Sequence, residues 1–198
     1  MSQVKFFPLL LLSWTLILSA CVSHNSPEVQ NISPPAAALC DIAVLPLVND
    51  SEYQQGGVIV YRIFVSELHK VKGLTISQEG DVRKLYRQMR IGPKDTPTLD
   101  DLKILADRLR VQGFVQGKVV KMRENKGRLE ARPILALNFK MINAATGRTM
   151  MTIYNSRRGE DYRSIMHFGV VNTITELSRV VSDEIIRQWF PGGEVKCQ

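Results

Sequence analysis

VQGFVQGKVVKMRENKGRLEARPILALNFKMINAATGRTMMTIYN, residues 111–155, is the stretch that decides the fold. Apolar and polar residues alternate along much of it, as they do in half-buried β-strands. Asn125-Lys126-Gly127 and Ala144 to Gly147 interrupt the alternation and have the composition of turns. Three consecutive strands joined by short turns form an antiparallel meander. The predicted strands are Val111 to Arg123, Arg128 to Asn143 and Arg148 to Asn155.

The segments around the meander predict helices and two short strands. Apolar residues recur at helical spacing after Gly56, although the β-branched residues 58–60 favour a strand, and we predict a helix there. Thr98 is a predicted N-cap, with acidic residues in the first turn behind it. The order is strand, helix, strand, two helices, three strands, helix, which predicts an α/β fold with helices packed on a sheet. The predicted elements are strands at 41–47 and 74–76 and helices at 56–72, 80–90, 99–110 and 165–189.

The first twenty residues have the organisation of an export signal. Lys5 is their only charged residue, and Phe6 to Leu18 is an apolar stretch too short to span a bilayer as a helix. Leu18-Ser19-Ala20-Cys21 follows directly and resembles the lipobox of bacterial lipoproteins. We therefore expect residues 1–20 to be a lipoprotein signal peptide, cleaved before Cys21, with acyl chains on that cysteine.

The anchor also predicts the location of the chain. Val22, rather than an aspartate, follows the cysteine, and by analogy with enterobacterial sorting this favours the outer membrane, at its periplasmic face. Residues 21–40 are polar and rich in proline, which predicts a lipidated flexible tether. No later segment is apolar enough to span a membrane. Residues 41–198 are then expected to form a single periplasmic domain.

Charge and cysteine content agree with export. The chain carries a formal net charge of +7, and its basic residues are dispersed. Export makes nucleic acid the weakest of the anionic partner classes, so we expect no nucleic-acid binding. With Cys21 lipidated, Cys40 and Cys197 remain, and an oxidising compartment favours one disulfide that ties the ends of the domain together. The alternative is two free thiols in flexible ends.

The sequence contains no recognised catalytic or metal-binding motif. The three histidines, His24, His69 and His167, do not have metal-site spacing, and neither HExxH nor GxSxG is present. Asp100 and Asp101 are adjacent, so on a helix their side chains diverge by about 100°. We therefore expect no enzyme activity, no cofactor and no metal. Lipid-anchored exported domains without catalytic groups mostly bind, scaffold or assemble.

Four local stretches resemble one family of periplasmic domains. Ile42 to Leu47 (IAVLPL) is similar to a first strand of apolar residues followed by a proline and a polar turn. The other three stretches are Ile76 to Glu79, Leu105 to Gly117, and Met141 to Gly147 with Asn143 where an acid is common. Together they resemble the CsgG-like superfamily, which is related to the N-terminal domain of TolB and includes the curli secretion channel, PelC and LpoB. The likeness covers about residues 41–190.

The resemblance implies a three-layer sandwich, in which a mixed sheet with the C-terminal antiparallel meander has helices on both faces. It also implies ring formation or docking onto envelope machinery. The curli channel inserts two added hairpins into the membrane, and no pair of long amphipathic inserts is present here. The segment at 155–163 is too short and too charged for that role. A self-inserting channel is therefore disfavoured.

The first functional hypothesis is an outer-membrane lipoprotein that acts as a non-catalytic, homo-oligomeric component of an envelope export or assembly complex. A second is an activator of a peptidoglycan synthase, and a third is a module that binds an anionic glycan. Two clusters are candidate interaction surfaces. The first lies on the basic helix at Arg83, Lys84, Arg87 and Arg90. The second lies in the charged loop at Arg157, Arg158, Asp161 and Tyr162.

Overall fold

The structure is a computed structural model that describes residues 28–30, 39–92, 94–126, 131–164 and 168–197. The described residues form a seven-stranded sheet and four α-helices. The strands are β1 (Glu28–Gln30), β2 (Asp41–Val44), β3 (Val48–Asn49), β4 (Thr75–Ile76), β5 (Gly113–Lys126), β6 (Ala131–Asn143) and β7 (Thr149–Arg158). The helices are α1 (Gly56–Leu68), α2 (Glu79–Gln88), α3 (Leu99–Leu109) and α4 (Ile174–Trp189).

The sheet is mixed, and its strand order is β1-β7-β6-β5-β2-β4. β2 is parallel to both β4 and β5, whereas β5, β6 and β7 form the predicted antiparallel meander. β3 continues along β5 after a short break. Pro46 lies in that break, and since proline has no N–H to donate, it interrupts the ladder there.

Helices cover both faces of the sheet, which confirms the three-layer arrangement. Successive residues of β2 point to opposite faces: Ile42 and Val44 belong to the larger core, and Ala43 belongs to the smaller one. α1 and α4 pack on the first face, and α2 and α3 pack on the second. In the larger core the rings of Phe64 and Phe139 stack with centroids 4.3 Å apart.

Several predicted boundaries are wrong, each for a local reason. Asn125 and Lys126, which are predicted to lie in a hairpin turn, instead belong to β5. They pair with the first residues of β6, Arg132 and Ala131. A bulge interrupts the register between Val119 and Lys121. β7 extends through Arg158 and is followed by a 3-10 turn at Gly159–Tyr162.

The last helix begins nine residues later than the apolar pattern predicts. Thr173 is its N-cap, and the Thr173 hydroxyl accepts a hydrogen bond from the backbone N–H of Glu176 at 3.2 Å. Gly169 has a φ of 84°, a left-handed conformation that does not continue a helix. Val171, an apolar residue before Thr173, packs into the larger core from a loop and not from a helix.

Part of the predicted tether belongs to the sheet. Glu28–Gln30 form β1 and pair antiparallel with Thr152–Tyr154 of β7. Backbone hydrogen bonds therefore hold three residues of the predicted tether against the β7 edge of the sheet. They cover part of an edge strand that would otherwise be open. Among the described residues no helix has both the length and the hydropathy needed to cross a membrane.

Candidate functional site

The N-terminal and C-terminal ends of the domain meet at one place. Cys40, just before β2, and Cys197, beyond α4, are joined by a disulfide with 5.8 Å between their Cα atoms. The Cys40 carbonyl accepts a hydrogen bond from the Thr75 backbone N–H at 2.7 Å, and the Val195 N–H donates to the Lys72 carbonyl at 2.8 Å. The bridge thus lies where the edge strand β4 and the C-terminal tail already meet. Cys21, the predicted lipidation site, lies outside the described residues.

A polar cluster around Glu184 connects α4 to the meander and to the 3-10 turn. The Glu184 carboxylate accepts hydrogen bonds from Asn155 Nδ2 at 2.9 Å, from Arg157 Nε at 3.1 Å and from the Tyr162 hydroxyl at 2.7 Å. Asn155 is fully buried and Arg157 is 7% exposed. Burial and the hydrogen bond to Glu184 raise the pKa of Tyr162 well above its usual range. This cluster is a structural connection between layers.

That cluster corrects the prediction for the charged loop. Arg157 points inward to Glu184, and Tyr162 is half-buried with its hydroxyl on the same carboxylate, so neither presents its polar end to a partner. Arg158 and Asp161 do lie on the surface. The Asp161 carboxylate accepts a hydrogen bond from the Arg158 backbone N–H at 2.8 Å and so closes the 3-10 turn. The structure therefore separates the four predicted residues into two inward and two outward ones.

Sequence reasoning missed Glu184 and Asn155, although β7 carried a signal for them. The strand alternates, and Asn155 and Arg157 fall on the same side as the fully buried Ile153. Two polar residues at inward positions of a strand require buried partners. Their partner lies on α4, 27 to 29 residues later in the chain, and its position follows only from the packing of that helix.

The predicted basic cluster is on the surface, with Arg90 just beyond the end of α2 and the other three residues on it, but its residues have different surroundings. Arg83 donates to Glu79 at 2.6 Å, one turn earlier on the helix, and its guanidinium lies 5.7 Å from the centroid of the Tyr61 ring. Burial raises the pKa of Tyr61 to about 12. Lys84, Arg87 and Arg90 are exposed. Three of the four predicted residues are thus available to a partner.

A cleft of about 540 Å³ lies between α2, the C-terminal end of α3 and the edge strand β4. Its lining includes Lys84 from the predicted cluster and the charged residues Asp41, Asp81, Arg108 and Arg110. Charges of both signs line it, so it does not form a purely basic site for an anionic glycan. Within the described part of the chain, no group of three His, Cys, Asp or Glu residues is placed to hold a metal ion.

Comparisons with known proteins establish relatives by fold alone. No protein-family model matches the chain, and no curated protein matches it in sequence. Among solved structures, PelC from Paraburkholderia phytofirmans, a dodecamer, aligns with a TM-score of 0.53 at 16% identity, over 80% of this chain and 94% of PelC. The lipoprotein GNA1162 from Neisseria meningitidis aligns with a TM-score of 0.53 at 14% identity, over 76% of this chain and 97% of its own.

A third structure, the hypothetical protein CT253 from Chlamydia trachomatis, aligns with a TM-score of 0.50 at 11% identity, over 77% of this chain and 96% of its own. All three relatives are covered almost from end to end, so this chain is similar to whole domains of this kind. The likeness to PelC agrees with one of the resemblances that the sequence motifs indicate. A specific relationship to the curli secretion channel stays a prediction. The chain has the three-layer α/β fold found in the bacterial proteins PelC and GNA1162.

Proposed function

We propose that this chain is a lipoprotein of the bacterial envelope, anchored at the periplasmic face of the outer membrane through acyl chains on Cys21. There it acts as a non-catalytic, homo-oligomeric component of an export or assembly complex. The observation that carries the proposal is the combination of a lipobox with a fold that aligns over most of its length with the PelC dodecamer. The fold likeness to the lipoprotein GNA1162 supports the same class of protein.

The surface of the domain fits assembly better than catalysis. The conspicuous polar cluster, around Glu184, uses that carboxylate to accept three hydrogen bonds within the fold, and it connects secondary-structure elements. In contrast, the Phe168 side chain is 74% exposed. Two hydrogen bonds from Ser164, through its backbone N–H at 2.8 Å and its hydroxyl at 2.9 Å, hold the Phe168 carbonyl in place. An exposed aromatic side chain on a hydrogen-bonded backbone is suited to a contact with another protein.

Mass spectrometry of the protein purified from membranes tests the anchor. We expect the mature N-terminus at Cys21 with a diacylglyceryl mass on the thiol, and Cys21→Ala should accumulate with its signal uncleaved. An unmodified cysteine at the mature N-terminus would overturn the lipoprotein assignment.

Sedimentation velocity and in-cell cross-linking of the mature lipoprotein test the assembly. We expect a homo-oligomer larger than a dimer, together with cross-links to other envelope proteins. A strictly monomeric protein without envelope partners would overturn this part of the proposal. Stimulation of a purified peptidoglycan synthase by such a monomer would instead favour the activator hypothesis.

A further inference from the structure

The second face of the sheet is covered over only part of its area. α2 and α3 reach the base of the meander, where Phe114 and Ile142 belong to their core. Farther along β5, β6 and β7, no helix of the described chain packs on this face. We call this area the open sheet face. Its residues are Gln116, Lys118, Lys121, Arg123, Ile134, Ala136, Asn138, Lys140, Thr152, Tyr154, Ser156 and Arg158.

The charged residues that β5, β6 and β7 place on the open sheet face are all basic. The register places its residues in rows across the three strands, including Lys140 beside Thr152, and Ile134 between Arg123 and Arg158. Five of the twelve residues are basic and none is acidic. Each basic residue has a neutral register partner, so the positive charges are spread over the face. A surface of one sign attracts a partner of opposite charge.

Acidic residues of the domain neutralise only part of this face. Asp50, after β3, pairs with Lys118 at 2.8 Å, and Glu52 pairs with Arg123 at 3.4 Å. Lys121 and Lys140 form no ion pair with the described residues. Arg158 uses its backbone, not its charged end, to hold the 3-10 turn. Among the described side chains of β5, β6 and β7, Lys121, Lys140 and Arg158 therefore leave positive charge on this face.

An exposed aromatic ring lies within the same surface. Tyr154 is 43% exposed and is directly opposite Asn138 in the register. Tyrosine has an apolar ring and a polar hydroxyl, which suits the boundary between lipid headgroups and water. A sheet face with lysines, arginines and one tyrosine can lie against a membrane surface.

The predicted anchor is a short chain length away from this face. β1 pairs with β7, and Glu28 is the register partner of Tyr154. Glu28 is seven positions after Cys21. Even a fully extended chain spans at most about 3.3–3.6 Å per residue, so the β7 edge lies within roughly 25 Å of the lipidated cysteine. Along the chain, the β7 edge of the open sheet face is thus the first described part of the sheet after the predicted anchor.

From these observations we propose that the open sheet face binds the anionic phospholipid headgroups of the membrane that carries the anchor. The inference rests on the proposed lipid anchoring, and it adds an orientation: the meander faces the bilayer, and α1 and α4 face away from it. Lys121, Lys140 and Arg158 supply charge to the headgroups, and Tyr154 contacts the interface. The attraction depends on ionic strength, because salt screens exposed charges.

Vesicle binding tests the proposal independently of lipidation. The mature chain with Cys21→Ser carries no acyl chain and is mixed with vesicles of phosphatidylglycerol and phosphatidylethanolamine, or of phosphatidylcholine alone. We expect binding to the anionic vesicles only, weakened by salt. Lys121→Glu with Lys140→Glu should reduce the affinity at least about tenfold. Lys84→Glu with Arg87→Glu on α2 makes the same charge change elsewhere and should reduce it much less.

Tyr154→Trp provides a second measurement that does not depend on charge reversal. Its fluorescence should shift to shorter wavelength on anionic vesicles and be quenched by brominated lipids, while the buried Trp189 serves as an internal reference. No binding to anionic vesicles, or an equal loss in both double variants, would overturn the proposal. Binding to a soluble anionic polysaccharide but not to vesicles would overturn it in favour of a glycan. None of these outcomes bears on acylation or oligomeric state, which are measured separately.

Discussion

Arg157 of β7 and Glu184 of α4 form an ion pair between the sheet and the helices on its first face, with 3.1 Å between Nε and Oε2. The arginine side chain is 8% exposed and that of the glutamate 24%, so the pair is largely shielded from water. The Asn155 and Tyr162 hydrogen bonds to the same carboxylate make Glu184 the centre of a network. A network of this kind fixes the position of α4 on the sheet more specifically than apolar contacts do.

Removing the centre of the network should destabilise the fold strongly. Glu184→Ala leaves the buried charge of Arg157 without its carboxylate, and we expect the free energy of unfolding to fall by about 3 kcal/mol in urea denaturation. Asp183→Ala is the matched control on the same helix, because its partner Arg187 is 77% exposed and the pair should be worth less than about 1 kcal/mol. Equal effects of the two substitutions would contradict the role of the network.

The disulfide should contribute to stability because it closes a loop that contains nearly the whole domain. Cys40 and Cys197 are 157 positions apart. Cys40→Ser with Cys197→Ser should lower the free energy of unfolding by about 2–4 kcal/mol. Urea denaturation of the wild type with reductant should give a similar loss, and the double variant should not respond to reductant. A wild-type unfolding curve that is unaffected by reductant would contradict the prediction.

Gly159, at the start of the 3-10 turn, should not tolerate a side chain. A Cβ atom there would overlap the Val171 carbonyl oxygen. Because that oxygen belongs to the backbone, it can move only if the loop before α4 moves with it. We expect Gly159→Ala to cost about 1–3 kcal/mol in thermal or urea denaturation. Gly80 in α2 is the control, since nothing lies within 4 Å of its Cβ position. Gly80→Ala should stabilise the helix by about 0.5–1 kcal/mol, and a loss there would be the contrary result.

The N-cap of α3 predicts a dependence of stability on pH. The Thr98 hydroxyl and backbone N–H donate to the Asp101 carboxylate, and these bonds lower the pKa of Asp101 below its usual range. The stabilisation is therefore fully present above the ordinary carboxyl pKa and is lost as the pH falls through the lowered one. Thr98→Ala should cost about 1 kcal/mol at neutral pH. Its difference from wild type should shrink in acid, and a constant difference would contradict the assignment.

The exposed Phe168 should matter for assembly rather than for folding. Phe168→Ser removes a side chain that is 74% exposed, so the free energy of unfolding of the protomer should change by less than about 0.5 kcal/mol. Sedimentation velocity should nevertheless show weaker self-association, because we expect the ring to lie between protomers. An unchanged assembly would place the protomer contact elsewhere.

The sequence predicts the layers of this fold well, because alternation and helical spacing are local properties. Thr98 caps α3 as predicted, and DIAVLPL contains β2. Boundaries are predicted less well, because distant groups set them. The start of α4, for example, depends on Thr173 and on the Glu124 carboxylate of β5, which accepts a hydrogen bond from the Ile174 N–H at 3.1 Å.

Charge patterns alone did not distinguish an outward arginine from an inward one. Arg157 and Arg158 are neighbours in a strand, so their side chains point to opposite faces, and only the position of α4 decides which one is buried. For the same reason the open sheet face was not predicted. Its basic residues come from three strands, and they form one surface only after the register is known.

The bond between Cys40 and Cys197 also makes the domain a covalent ring from one end to the other. A protease that cuts one surface loop of such a ring opens it without releasing a fragment. The nicked protein keeps every strand and helix attached, so its two parts remain together at full effective concentration. In an electrophoresis gel the cut would be visible only after reduction. The bond therefore protects the domain against the consequences of a single cleavage as well as against unfolding.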